Sequence, residues 1–130
     1  MPRVAGRGAC GPRGNQPPTG ARSNLCGDEC LSYGVSSGFI GWAAYPRHHD
    51  AYAVTAPVSS MPEGATPDGL LHMTGNVSEW TSAADGTNRV YRGGGWDSSV
   101  RSWVRAASRN SFVPALRDGT VGFRCAREVM

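Results

Sequence analysis

The chain contains no lysine; all 13 of its basic residues are arginine. These arginines are scattered and alternate with the 10 acidic residues, so the net charge of +3 is spread over a solvated surface. Nucleic acid requires a concentrated basic patch, and none is present. An all-arginine complement fits the codon bias of a GC-rich genome. Long apolar runs are lacking too. None approaches the roughly 20 residues of a membrane-spanning helix, so no membrane association is expected. The N-terminal stretch "MPRVAGRGACGPRGNQPP" has no apolar core of the kind that directs secretion, which leaves the cytoplasm as the default location. No internal repeat is visible, and no cysteine occurs between Cys30 and Cys125.

At 130 residues the chain is one domain or a piece of one, since single cores form at roughly 100 to 200 residues. Its 39% apolar and 18% charged residues are those of a globular protein. Gly 18 and Pro 9 together make about a fifth of the chain, against a usual share of about 12 percent, so many turns and few long elements follow. Residues 1–19 are mostly Arg, Gly and Pro and read as a loop or unstructured lead-in. Between Asn24 and Ile40, the glycines Gly27, Gly34 and Gly38 restrict any helix to a turn or two. "YAVTAPV" (52–58) alternates like a short strand that Pro57 confines to an edge. "DGLLHMTGNVSEWTS" (68–82) has room for one short helix. "RVYRGGGW" reads as a strand entering a glycine-rich bend, "SWVRAASR" as a short extended piece and "TVGFRCARE" as a closing strand. The sum is an irregular α+β domain whose loops outweigh its sheet, with function carried on loops. Cys26 and Cys30, in "CGDEC", suit a small loop disulfide, two reduced thiols or half a zinc site. The other half of a zinc site is lacking, because adjacent His48 and His49 diverge in extended chain.

Six spaced motifs together resemble the formylglycine-generating enzyme and sulfatase-modifying factor family: "RGNQPP" (13–18), "ARSNLC" (21–26), "DAYAVTAPVSSMP" (50–62), "GLLHMTGNVSEWTS" (69–82), "RVYRGGGW" (89–96) and "VGFRCAR" (121–127). They occur in family order over roughly the whole chain. The resemblance implies a loop-rich α+β fold related to the C-type lectin fold, with short antiparallel strands. It covers only the C-terminal half of the usual family domain, so residues 20–130 form a partial domain whose N-terminal half is missing. Exposed strand edges and a small core imply marginal stability and self-association. Cys125 would pair in some relatives with a cysteine from the missing half, and here it is left unpaired or finds Cys10.

Calcium in this family is held by loop oxygens, as suits a hard cation that takes about 6 to 8 of them. By resemblance, the first site comprises Asn24, the Leu25 carbonyl, Asp50 and the Tyr52 carbonyl. The plain alternative is that Asp50 caps a turn after His49. The second site comprises the carbonyls of Gly75 and Val77 and the carboxylate of Glu79. There the remaining ligand has become His72, and an imidazole nitrogen suits calcium poorly. Glu79 then keeps a structural role, for example by accepting N–H bonds from the Gly75-Asn76 turn. Trp80 is expected in the core.

The family's oxidation of a substrate cysteine uses a cysteine pair just after the glycine-rich bend, which holds copper(I) because soft thiolates favour it. Here Ser98 stands at the first position, and the second falls near Arg101 to Trp103. Copper is therefore not expected, and the resemblance implies a pseudoenzyme used as a binding or scaffold module, or a remnant. Its ligand surface would be Trp96, Asp97, Ser98, Arg101, Arg105 and Arg109, facing a protein or small molecule. Surface ion pairing of these arginines with Asp97 and Asp118 is the alternative. Two other readings are part of a formylglycine-generating or non-haem iron sulfoxide synthase that needs another domain, and a ligand-binding protein diversified by retroelements behind the bend.

Overall fold

The computed structural model describes residues 16–39 and 41–128. Most of the 1–19 lead-in, and Cys10 with it, lies outside them. Helix α1 spans Asp28–Ser36 and is capped by Gly27. Its nine residues slightly exceed the turn or two that the glycines suggest. Gly34 does not break it, because the missing side chain makes room for a ring: a Cβ there would sit 2.7 Å from Trp42 Cε3.

Four strands follow: β1 Ser78–Asp85, β2 Asn88–Arg92, β3 Asn110–Phe112 and β4 Val121–Gly122, in the sheet order β3-β2-β1-β4. β1 and β2 form an antiparallel hairpin closed at Asp85↔Asn88. Its two-residue turn begins with Gly86 at φ 61, the left-handed geometry such turns require. The register slips between Trp80 and Ala84, where Thr81 Oγ1 donates to Val90 O at 3.0 Å. β3 is antiparallel to β2, whereas β4 runs parallel to β1, so the expectation of antiparallel strands fails at the closing edge. The closing strand is two residues long, much shorter than "TVGFRCARE" suggests.

Three local expectations are overturned. No helix forms over 68–82. His72, Gly75 and Asn76 all have left-handed backbones, at φ 53, 80 and 66, which no right-handed helix can contain. Val77 onward is then extended into β1. No strand forms over 52–58, because the peptide groups of Val54 and Ala56 bond to side-chain amides instead of a neighbouring strand. "SWVRAASR" is not extended either: Arg101–Trp103 is a single 3-10 turn, and the carbonyls of Ala106 and Ser108 accept from the Arg92 guanidinium.

The core is small. Leu25, Tyr45 and Val104 pack together, with Cys26, Cys30 and Val90 also buried. Trp80 is half-buried on the sheet, edge-on to Tyr91 at 5.5 Å, rather than in the core. Val58 and Phe123 are 83% and 77% exposed. Among the described residues, no helix is long and apolar enough to cross a membrane.

Candidate functional site

Three clusters contain the residues singled out from the sequence. The first joins Asn24 to Asp50. Asp50 Oδ2 accepts from Leu25 N at 2.8 Å and lies 3.1 Å from His48 Nε2, while Oδ1 accepts from Tyr52 N at 2.9 Å. Asp50 therefore does cap its own turn. His48 Nε2 is also 2.9 Å from Ser23 O, and a carbonyl only accepts, so Nε2 carries the hydrogen. Asn24 Nδ2 donates to Val54 O at 2.8 Å and to Asn76 Oδ1 at 3.1 Å. The Val54 carbonyl fixes which amide atom is nitrogen. This leaves Asn24 Oδ1 buried with no partner, at a cost of about 1–3 kcal/mol for an acceptor stripped of water.

Asn76, for which sequence reasoning found no role beyond its turn, is the hub of this cluster. Its Oδ1 also accepts from Ala56 N at 2.7 Å and its Nδ2 donates to Ala56 O at 3.2 Å. Its backbone N–H donates to Asn24 O, and its carbonyl accepts from Trp96 N. Three other segments, at Asn24, Ala56 and Trp96, are thus joined to its own through this one residue. The available signal was the Gly-Asn pair itself, since Asn tolerates a left-handed backbone and offers an amide. Gly75 beside it is equally constrained: at φ 80, its missing side chain would collide with the Asn24 carbonyl.

The second cluster centres on Glu79, and the cation there is a guanidinium. Arg124 Nε donates to both Glu79 oxygens at 2.8 and 2.7 Å, and Nη2 donates to Oε1 at 2.6 Å. Nη2 also reaches the carbonyl oxygens of Leu71 and His72 at 2.9 and 3.4 Å. The parallel register Glu79↔Gly122 sets this up, because Arg124 lies two residues beyond Gly122 and so on the same face. Both Glu79 oxygens and the carbonyls of Leu71 and His72 thus converge on one guanidinium. The N–H groups of Gly75 and Asn76 bond to Gly93 and Asn24, so Glu79 does not accept from that turn either.

His72 is bonded to the 57–60 segment, not to Glu79. Its Nε2 donates to Pro57 O at 3.1 Å, and its Nδ1 is buried without a partner. Burial holds its pKa below the ordinary 6.5, the Arg124 charge adds in the same direction, and the bond to Pro57 and the Glu79 charge oppose. The unfolded chain therefore binds this proton more readily, and stability must fall as pH drops through 6.5 and below. Thermal unfolding measured at pH 7.5 and 5.5 should show that loss, and His72→Gln should reduce it.

The third cluster is the bend. Ser98 is buried; its Oγ accepts from Gly95 N at 3.0 Å, and its carbonyl accepts from Cys26 N at 3.1 Å. Its hydroxyl is a structural brace. Cys26 and Cys30 form a disulfide and Cys125 is free and exposed, so the described residues hold no pair of thiols. Trp96 Nε1 donates to Gly119 O. The expected ligand surface divides. Asp97 and Trp103 line a cavity of about 290 Å³ with Trp42, whereas Arg105 lines a separate one of about 270 Å³ beside Met73 and Trp80. Arg101 and Arg109 are exposed and line neither. Among the described residues, Asp97 and Asp118 form no ion pair, so the expected arginine pairing is not what organises the bend.

The profile of the sulfatase-modifying factor enzyme 1-like domain matches residues 7–129. The Inactive C-alpha-formylglycine-generating enzyme 2 of Bos taurus is 35% identical over 88 residues, 62% of this chain and 29% of that protein. The Formylglycine-generating enzyme of Streptomyces coelicolor is 34% identical over 100 residues, 61% of this chain and 31% of that protein. The Serine/threonine-protein kinase pkn1 of Chlamydia caviae is 37% identical over 95 residues, 58% of this chain and 15% of that protein. The chain thus spans less than a third of the length of these relatives. The match over almost its full length, and the six motifs that carry it, place the chain in the sulfatase-modifying factor enzyme 1-like domain family.

Proposed function

We propose that this domain is a non-catalytic member of its family that binds a ligand at the glycine-rich bend, on a scaffold related to the C-type lectin fold. The observation that carries the reading is the fate of sulfur and hydroxyl there. Ser98 Oγ is buried and engaged by Gly95 N, and Cys26 and Cys30 are bonded to each other. Copper(I) prefers soft thiolates, and a serine oxygen cannot replace them. The Bos taurus relative, named as inactive, and the kinase relative are consistent with this domain type serving outside the oxidation. The test is copper(I) titration of the purified chain together with a cysteine-peptide oxidation assay. Neither stoichiometric copper nor formylglycine product should appear; either one overturns the reading.

Calcium belongs to the proposal at the first cluster only. The unpartnered Asn24 Oδ1 and the Asp50 carboxylate, with the carbonyls of Leu25 and Tyr52, would hold it, and its contribution would be structural. Calcium should raise the melting temperature of the wild-type chain and leave Asp50→Ala unmoved. No shift in the wild type, or an equal shift in the variant, removes the site.

A further inference from the structure

The cavity beside the bend has an unusual wall composition. Two tryptophans, Trp42 and Trp103, face it with Asp97, Ser99 and Cys26 of the disulfide. Trp42 is held from three directions. It stacks on Phe39 at 5.0 Å, leans on Trp96 at 5.8 Å and fills the space left by Gly34. Trp103, 51% exposed, stands on the 3-10 turn at the opposite side of the sequence motif. At about 290 Å³, the space suits a small headgroup or one side chain rather than a peptide segment, since drug-sized ligands fill about 300–1,000 Å³.

The charge at this cavity is unbalanced. Asp97 has no cationic partner among the described residues. It is an exposed residue, yet surrounding protein raises its pKa, and the Asp118 charge acts in the same direction. Asp97 is thus a rim carboxylate, only partly shielded. A negative rim on an aromatic box repels anions and gives a neutral ligand no electrostatic reward. A cation gains from the carboxylate, and an alkylated one also buries its methyl or methylene groups against the two indoles that line the space.

We infer that the Trp42, Trp103 and Asp97 cavity binds an alkylammonium cation, either a free small molecule or the lysine-type side chain of a peptide. This inference rests on the ligand-binding reading of the bend and names its ligand class. The probes are choline, N-acetyl-lysine amide and its trimethylated form, with N-acetyl-norleucine amide and glucose as neutral controls. Binding to the full chain is followed by tryptophan fluorescence and calorimetry.

The ammonium probes should bind saturably and the neutral controls should not. Asp97→Asn should weaken binding at least ten-fold and Trp103→Ala should abolish it, while both variants keep the wild-type circular dichroism and melting transition. Tighter binding of the trimethylated lysine than of choline assigns the site to a peptide; equal binding assigns it to a free cation. Norleucine or glucose binding as well as the ammonium probes, unchanged binding by Asp97→Asn, or no ammonium binding at all overturns the inference. Loss of the ligand class alone leaves the wider reading standing, which falls separately if the copper and peptide-oxidation assays are positive.

Discussion

Asn76→Ala should lower the unfolding free energy by about 3–5 kcal/mol, enough to unfold much of the chain if its stability lies near the low end of the usual 5–15 kcal/mol. The alanine removes the acceptor of Ala56 N at 2.7 Å and of Asn24 Nδ2 at 3.1 Å, and the donor to Ala56 O at 3.2 Å. All three bonds are buried, so each orphaned partner carries a desolvation cost of about 1–3 kcal/mol beyond the lost bond, with partial relief from relaxation and from the bond Asn24 Nδ2 keeps to Val54 O. Alanine also fits the φ of 66 at this position less well than asparagine, which adds about 1 kcal/mol. Asn76→Asp keeps the acceptor atom but sets a second carboxylate oxygen against the Ala56 carbonyl and buries an unpaired charge, so it should not rescue the loss at neutral pH. Urea unfolding midpoints of the three proteins give the comparison. Equal stability of Asn76→Ala and wild type would show that Asn76 does not join these segments.

Removing the guanidinium has the second largest effect. Arg124→Ala should destabilise by about 2 kcal/mol. A fully buried pair broken from one side costs about 3–5 kcal/mol, but these side chains are 37% and 20% exposed, and solvent screening reduces the figure. The variant leaves Glu79 without its bidentate partner and the Leu71 carbonyl without its donor. Arg124→Lys should recover only part of the loss, because an ammonium cannot match both carboxylate oxygens and a carbonyl in one plane. Added salt should narrow the gap between wild type and Arg124→Ala. Identical melting curves for the two would show that the pair holds nothing.

Residues near one another in sequence were legible where their backbone needs were unusual. "RVYRGGGW" marked the strand β2, and the glycines that follow it marked the bend. The disulfide was one of the open alternatives for Cys26 and Cys30. The segment 68–82 was misjudged because its composition permits a helix, and only the combined left-handed geometry of His72, Gly75 and Asn76 rules one out. "YAVTAPV" alternates like a strand, but alternation does not reveal whether the partner of a peptide group is another strand or an amide side chain. Glu79 was read either as a calcium ligand by resemblance or as an acceptor of N–H bonds from the Gly75-Asn76 turn. Its partner lies 45 positions away, in a motif that had been assigned no charge role.

The sequence by itself determined the family, through six ordered motifs, and the absence of sulfur behind the bend, because both are properties of residue identity. Only the tertiary structure decided that Arg124 engages both oxygens of Glu79, that Asn76 joins four segments, and that Trp42 comes to face Asp97 and Trp103. The reason is physical. A side chain's choice among distant partners depends on which segments packing brings within hydrogen-bond or van der Waals reach, and no local preference encodes that distance.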